Sequence, residues 1–308
     1  MQVASLRKAY GETLVELGRK NKKIVVLDAD LAKSTHTYMF GEVFPDRFFD
    51  MGISEQDMIA TAAGLAASGK IVFASTFAVF ATGRAWDQIR IQIAYSQNNV
   101  KIVATHGGIS VGEDGYTHQA IEDIALMRVL PGMRVIVPAD ANATRAVIEK
   151  VADVPGPFYV RLTRPPLPII YEEVPDVDIG KSIILKEGKD VTLIAIGAMV
   201  YQALEAAKML ETMGVSAKVI DMMSVKPLDE EVLVEAAHTT RAIITCEDHS
   251  VIGGLGSAVA EVLGEKIPTR MYRVGIRDTF GVSGSPDELY EKFQLKAKYI
   301  VEKVTQLL

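Results

Sequence analysis

The stretch LRKAYGETLVELGRKNKKIVVL, residues 6–27, decides the fold class. Leu6, Tyr10, Leu14 and Leu17 recur at a helical period, and Lys22-Lys23 then lead into the apolar run Ile24 to Leu27, which reads as a buried strand. Helix followed by strand is the repeating unit. Further strands are predicted at Ile71 to Ala74, at Val100 to Ala104 and near Val135 and Tyr159, with a long helix across Trp86 and helices between the others. Short apolar strands alternating with helices imply an α/β chain with a mainly parallel sheet covered on both faces.

Beyond Arg164 the composition changes to Pro-Pro-Leu-Pro and then to an acidic stretch, Glu172 to Asp178, with neither a helical nor a strand period. Residues 1–165 are therefore assigned to a first domain, 166–184 to a linker and 185–308 to a second domain. The second block reads as strand Val191 to Ile196, helix Met199 to Met213, strand Ala217 to Ile220, helix Asp229 to Ala237 and strand Ala242 to Thr245. A helix from about Leu255, a strand near Met271 to Val274 and a terminal helix from Pro286 follow. The expected architecture is two doubly wound, mainly parallel-sheet domains of unequal size, without a short-period repeat.

The 308 residues carry 33 Lys and Arg against 39 Asp and Glu, a net charge of −6. That balance disfavours nucleic acid and anionic lipid as partners, so an anionic substrate must be captured by local arginines and histidines. The single cysteine, Cys246, excludes an intrachain disulfide and a multi-cysteine zinc site. Charge arrives too early at the N-terminus for a secretory segment, and every apolar run stops short of membrane-spanning length. A cytoplasmic location is the expectation.

In open parallel sheets ligands gather at the carboxyl ends of the strands, which draws attention to four segments. In Gly52-Ile53-Ser54-Glu55-Gln56-Asp57, Ser54 and Asp57 are expected to form a capping box that opens a helix rich in small residues, Ala60 to Ala67. Glu55 then sits in the first helical turn, either as a complement to the helix dipole or as a functional acid. Phe77 and Phe80 lie three residues apart at a strand-to-helix junction, a spacing that by itself reads as core packing. The loop from His106 to Gln119 holds four glycines, two histidines and the acids Glu113 and Asp114, too polar a content for ordinary packing, and its spacing matches no standard zinc pattern. In the fourth segment, Arg161 and Arg164 close the last strand of the first domain and are expected to share one face, with Arg164 free to leave the strand and meet an anion. Gly253-Gly254-Leu255-Gly256 lacks the features of a nucleotide loop and reads as a turn at a helix start.

These segments, in this order, resemble the pyrimidine-binding half of transketolase. Residues 1 to about 165 look like the family's thiamine-diphosphate-fold pyrimidine domain. Residues from about 185 look like its C-terminal domain, including Glu247-Asp248-His249 and the Gly-Gly-Leu-Gly turn. The family's diphosphate- and magnesium-binding domain has no counterpart here. The resemblance implies that Glu55 hydrogen-bonds the aminopyrimidine ring of thiamine diphosphate, favouring the imino tautomer that activates the thiazolium carbon. It implies that Phe77 and Phe80 line the pyrimidine pocket, with Phe80 stacking, and that Asp30 lies near the cofactor at the domain interface. Gly83 stands where the family often has a tyrosine. Arg7, Ser34, His106 and Arg164 fall where the family grips a sugar phosphate, Asp114 where it contacts a substrate hydroxyl, and His118 at the reacting centre. The implied activity is transfer of a two-carbon ketol unit between phosphorylated sugars. Mg2+ and diphosphate ligands would come from an N-terminal transketolase subunit in a two-plus-two heterotetramer. Rival readings are the beta subunit of a thiamine-dependent 2-oxoacid dehydrogenase and a non-catalytic regulatory subunit. Retention of Glu55, His106, Asp114, His118 and Arg164 weighs against the last.

Overall fold

The computed structural model describes residues 2–308. The first domain is a seven-stranded sheet whose parallel body consists of β2 (Ile24–Asp28), β3 (Phe48–Asp50), β4 (Ile71–Phe77), β5 (Val100–Thr105), β6 (Arg134–Ile136) and β7 (Phe158–Arg161). It follows a short β1 (Val3–Ala4), which pairs antiparallel with β8 (Leu167–Pro168). The second domain is a five-stranded sheet of β9 (Ile183–Lys186), β10 (Val191–Ala195), β11 (Ala217–Asp221), β13 (Ile243–Ser250) and β14 (Met271–Ile276), parallel except for the edge strand β9. Between β11 and β13, β12 (Ser224–Lys226) crosses to the first sheet and pairs antiparallel with β6, so that sheet runs β12-β6-β7-β5-β4-β2-β3.

The central strands are apolar because helices bury both faces of each sheet. Every residue of β2, β5, β10 and β11 is buried. Tyr10, Leu14 and Leu17 on helix Leu6–Lys20 pack with Val26, Phe73 and Val103 on one face of the first sheet. Met58, Ile59 and Ala62 on helix Glu55–Ala67 pack with Leu27, Ala74 and Ile102 on the other. This is the two-domain, doubly wound architecture expected from the alternation.

Several local expectations are corrected. Ser54 makes no side-chain capping bond, so the capping box with Asp57 does not form; a true capping box closes instead on Ser285 and Glu288. The long helix across Trp86 is wound as π-helical turns at Phe80–Arg84 and Ile89–Tyr95 around one short α-turn. The terminal helix from Pro286 is two helices, Pro286–Lys292 and Ala297–Leu307. The 166–184 segment, read as aperiodic, holds β8 and reaches into β9. Strands this short leave no period to detect.

Candidate active site

Because β3, β2, β4, β5 and β7 are parallel neighbours, their carboxyl ends open onto one edge of the sheet. Four of the predicted residues meet there as a ring stack. Phe77 ends β4, and Phe80 lies 5.8 Å away with nearly parallel planes. His106, directly after β5, stacks on Phe77 at 3.6 Å, and His118 meets the edge of Phe80 at 5.3 Å. The pair three residues apart, ambiguous in sequence, therefore forms a wall shared by both histidines of the glycine-rich loop.

Glu55 is 2 % exposed at the start of its helix. A residue that sequence reasoning missed, Arg84, reaches both of its oxygens through Nη1, at 2.8 and 2.7 Å. The same guanidinium carbon lies 4.9 Å from the centre of the Phe80 ring. Arg84 follows Gly83, beside which a side chain would meet open space. The signal was a cation one residue past Gly83. The space beside Gly83 stays open, and Arg84 turns instead to Glu55 and Phe80.

Arg7 and Arg164 form the cationic part of the site. Arg7 donates to the backbone carbonyl of Ser34 at 2.6 Å, so Ser34 meets it through the main chain, while the buried Nε of Arg7 has no partner. Arg164 bonds the carbonyl of Val111 and pairs with Glu113 at 3.2 Å; Asp114 lies 4.0 Å from it. Burial, then repulsion from Arg7, Arg164 and His118, pushes His106 down to about 3, so its ring is neutral near pH 7. Its Nδ1 shares a hydrogen bond with the Thr105 hydroxyl at 2.8 Å. Asp30 is exposed, and its backbone N–H donates to Asp50 at 3.0 Å. Its neighbour Asp28 is instead fully buried, bound by Leu31, Thr35 and Thr37, and burial raises it to about 6.

Arg161 and Arg164 do not share a face. Arg161 points into the protein, where it pairs with buried Asp123 at 2.8 Å and donates to the carbonyls of Ala120 and Asp248. Three positions separate the two arginines, an odd number that puts them on opposite sides of extended backbone. The Gly-Gly-Leu-Gly segment does open a helix, Leu255–Lys266, whose first N–H groups from Leu255 and Gly256 donate to Glu247. Among the described residues, no three His, Cys, Asp or Glu side chains converge to hold a metal ion, and no helix is long and apolar enough to cross a membrane.

Residues 2–169 match the family described as transketolase, pyrimidine binding domain, and residues 180–300 match transketolase, C-terminal domain. The chain is 50 % identical to a putative transketolase C-terminal section of Methanocaldococcus jannaschii, covering 98 % of this chain and 95 % of that protein. It is 45 % identical to a 6-deoxy-6-sulfo-D-fructose transketolase subunit of a Clostridium species, covering 96 % and 92 %. A solved structure described as a split gene transketolase, inactive beta4 tetramer, superposes with a TM-score of 0.93 at 55 % identity, covering 99 % of this chain and 98 % of that one. The chain belongs to the transketolase family, as a subunit that carries its pyrimidine-binding and C-terminal domains.

Proposed function

We propose that this chain is the C-terminal subunit of a split transketolase, moving a two-carbon ketol unit from a ketose phosphate to an aldose phosphate with thiamine diphosphate. The observation that carries the reading is the cluster at the strand ends. A buried carboxylate stands beside a stacked phenylalanine pair, two histidines share those rings, and two arginines lie within electrostatic reach.

An aminopyrimidine fits this donor set: Glu55 meets a ring nitrogen, and Phe80, backed by Phe77, offers an aromatic face. When bound, thiamine diphosphate supplies the nucleophilic carbon that carries the two-carbon unit. The residues of this chain bind, orient and move protons. Glu55 holds the ring nitrogen and exchanges a proton with it. His106, neutral near pH 7, acts by hydrogen bonding and not by charge. His118, at the edge of the stack, faces the hydroxyls of the donor sugar. Arg7, with an unpartnered Nε, and Arg164 take the substrate phosphate, a fork-shaped donor set suited to that anion, and Ser34 holds Arg7 in place. Asp114 selects a substrate hydroxyl, and Asp30 lies toward the cofactor.

Mg2+ and the diphosphate fall to an N-terminal subunit, with which this chain forms a two-plus-two heterotetramer in the cytoplasm. The test is a ketol-transfer assay with xylulose 5-phosphate and ribose 5-phosphate, thiamine diphosphate and Mg2+, on this chain alone and mixed with a diphosphate-domain subunit from the same source. A parallel arm uses 6-deoxy-6-sulfo-D-fructose as donor. Transfer only in the mixture, lost with Glu55→Ala, supports the reading. A cofactor-loaded mixture that transfers from no sugar donor defeats it.

A further inference from the structure

Arg84 stands in an unusual position for a residue beside a carboxylate assigned to a cofactor. A single guanidinium nitrogen bridges both oxygens of Glu55, so neither oxygen is left without a donor on the site side. The same planar, delocalised cation lies over the face of Phe80. An aminopyrimidine bound through Glu55 and Phe80 requires those two surfaces: a carboxylate to meet a ring nitrogen and an aromatic face to stack on. A guanidinium and an aminopyrimidine protonated at its ring nitrogen are alike in being flat and electron-delocalised and in turning an N–H donor toward a carboxylate, and one site suits both.

The backbone is built for Arg84 to leave. Phe80–Arg84 is wound as a π-helix, a loosened turn that concentrates at functional positions. Beside Gly83, a side chain would find open space and no packed neighbour. The Arg84 side chain is 49 % exposed, against 2 % for Glu55, so solvent is open to the arginine and closed to the acid. Swinging outward returns the cation to water at small cost. Leaving Glu55 bare would strand a buried charge, so departure of Arg84 and arrival of a replacement donor are coupled.

We propose that Arg84 is an internal stand-in for the aminopyrimidine ring: it holds Glu55 and covers Phe80 until the ring displaces it. This rests on the assignment of Glu55 and Phe80 to the aminopyrimidine. Its consequence is a tax on cofactor affinity, because the ring must compete with a tethered ligand of the same chain.

The test is thiamine diphosphate binding by the full chain mixed with a diphosphate-domain subunit and Mg2+, measured by calorimetry and by fluorescence of Trp86. Trp86 is the one tryptophan of this chain and lies two residues from Arg84. Arg84→Ala is expected to bind roughly two- to fivefold more tightly than the unaltered chain, the scale of one partly exposed ion pair. Arg84→Lys, which keeps the charge but loses the flat fork, is expected to fall between them. Combining Arg84→Ala with Glu55→Gln should erase the gain. Equal or weaker binding by Arg84→Ala, with the unaltered chain binding normally, overturns the stand-in and leaves the cofactor assignment intact. Failure of the unaltered chain and of every variant to bind overturns both.

Discussion

Asp248 on β13 accepts the backbone N–H of Ile109 through Oδ1 at 2.9 Å, a bond that ties the second domain to the loop bearing both site histidines. Its other oxygen accepts from the Tyr290 hydroxyl at 2.9 Å. Nearby, the Gln119 amide donates to the carbonyls of Ile109, Gly112 and Val282, so the loop is held from its own far end and from the second domain together. The loop's geometry is thus set by residues that do not themselves line the ring stack.

Replacing Asp248 by Ala should therefore act at a distance. Both buried donors lose their acceptor, a cost of about 2–4 kcal/mol. Denaturant midpoints would measure it, and amide hydrogen exchange should quicken across 109–114 while the β2 and β10 amides stay slow. Uniform loosening of the whole chain would show that Asp248 supports the fold at large and does not position this loop.

Glu55→Gln keeps the shape of the side chain and removes the acid. In the mixed-subunit assay the expected loss of turnover is at least about a hundredfold, with a melting temperature close to that of the unaltered chain. An active Glu55→Gln enzyme would refute the proton-exchanging role.

Much of this was legible from the chain alone. The helix-strand alternation from Leu6 onward was long and strongly periodic, and such patterns follow from which face each element buries. The segments holding Glu55, Phe77, Phe80, His106 and His118 stood out by their place at strand ends, the resemblance alone supplied the roles expected of them, and the fold brings them to one sheet edge. Other features were hidden because they depend on partners distant in sequence. Arg84 is 29 positions from Glu55, and β12 joins a sheet whose other strands end before it begins. Ser54 satisfied the pattern for a cap without adopting the backbone geometry that a cap needs. The supposed shared face of Arg161 and Arg164 failed on the period of the strand itself.

Arg164→Gln should separate phosphate recognition from chemistry. The neutral amide lacks both charge and fork, so KM for phosphorylated acceptors is expected to rise roughly ten- to a hundredfold while kcat changes little. Steady-state kinetics with phosphorylated and unphosphorylated aldoses would check it. An equal penalty on both substrate types would contradict a phosphate contact.

His106 makes a pH prediction whose sign is fixed. Its ordinary value of 6.5 applies to the unfolded chain, whereas the folded protein holds it at about 3. Between those values the unfolded chain binds the proton more readily, so stability is lost as pH falls below about 6.5. At about pH 5 this one group removes roughly 2 kcal/mol relative to neutral pH. His106→Asn should shrink the fall in unfolding free energy between pH 7 and pH 5 by about that amount. Glu247 and Asp28, raised to about 7 and about 6, contribute with the opposite sign, but equally in both proteins. An unchanged pH dependence in the variant would mean that His106 is not held neutral.

Gly108 offers a sharper test of the loop's tie to Asp248. Its φ of 84° lies where L-residues carry strain, and an added Cβ would come 2.2 Å from Asp248 Oδ2. Gly108→Ala therefore carries two penalties, backbone strain of about 1–3 kcal/mol and a collision with a buried carboxyl group. Only the second depends on Asp248. In an Asp248→Ala background the collision is gone, and Gly108→Ala should cost about the backbone strain alone. A double-mutant cycle read by denaturant unfolding is then expected to give a coupling of at least about 1 kcal/mol, with the pair of substitutions less damaging than their sum. Additive effects would place the whole cost in the backbone of Gly108 and remove Asp248 from the reason a glycine is needed there.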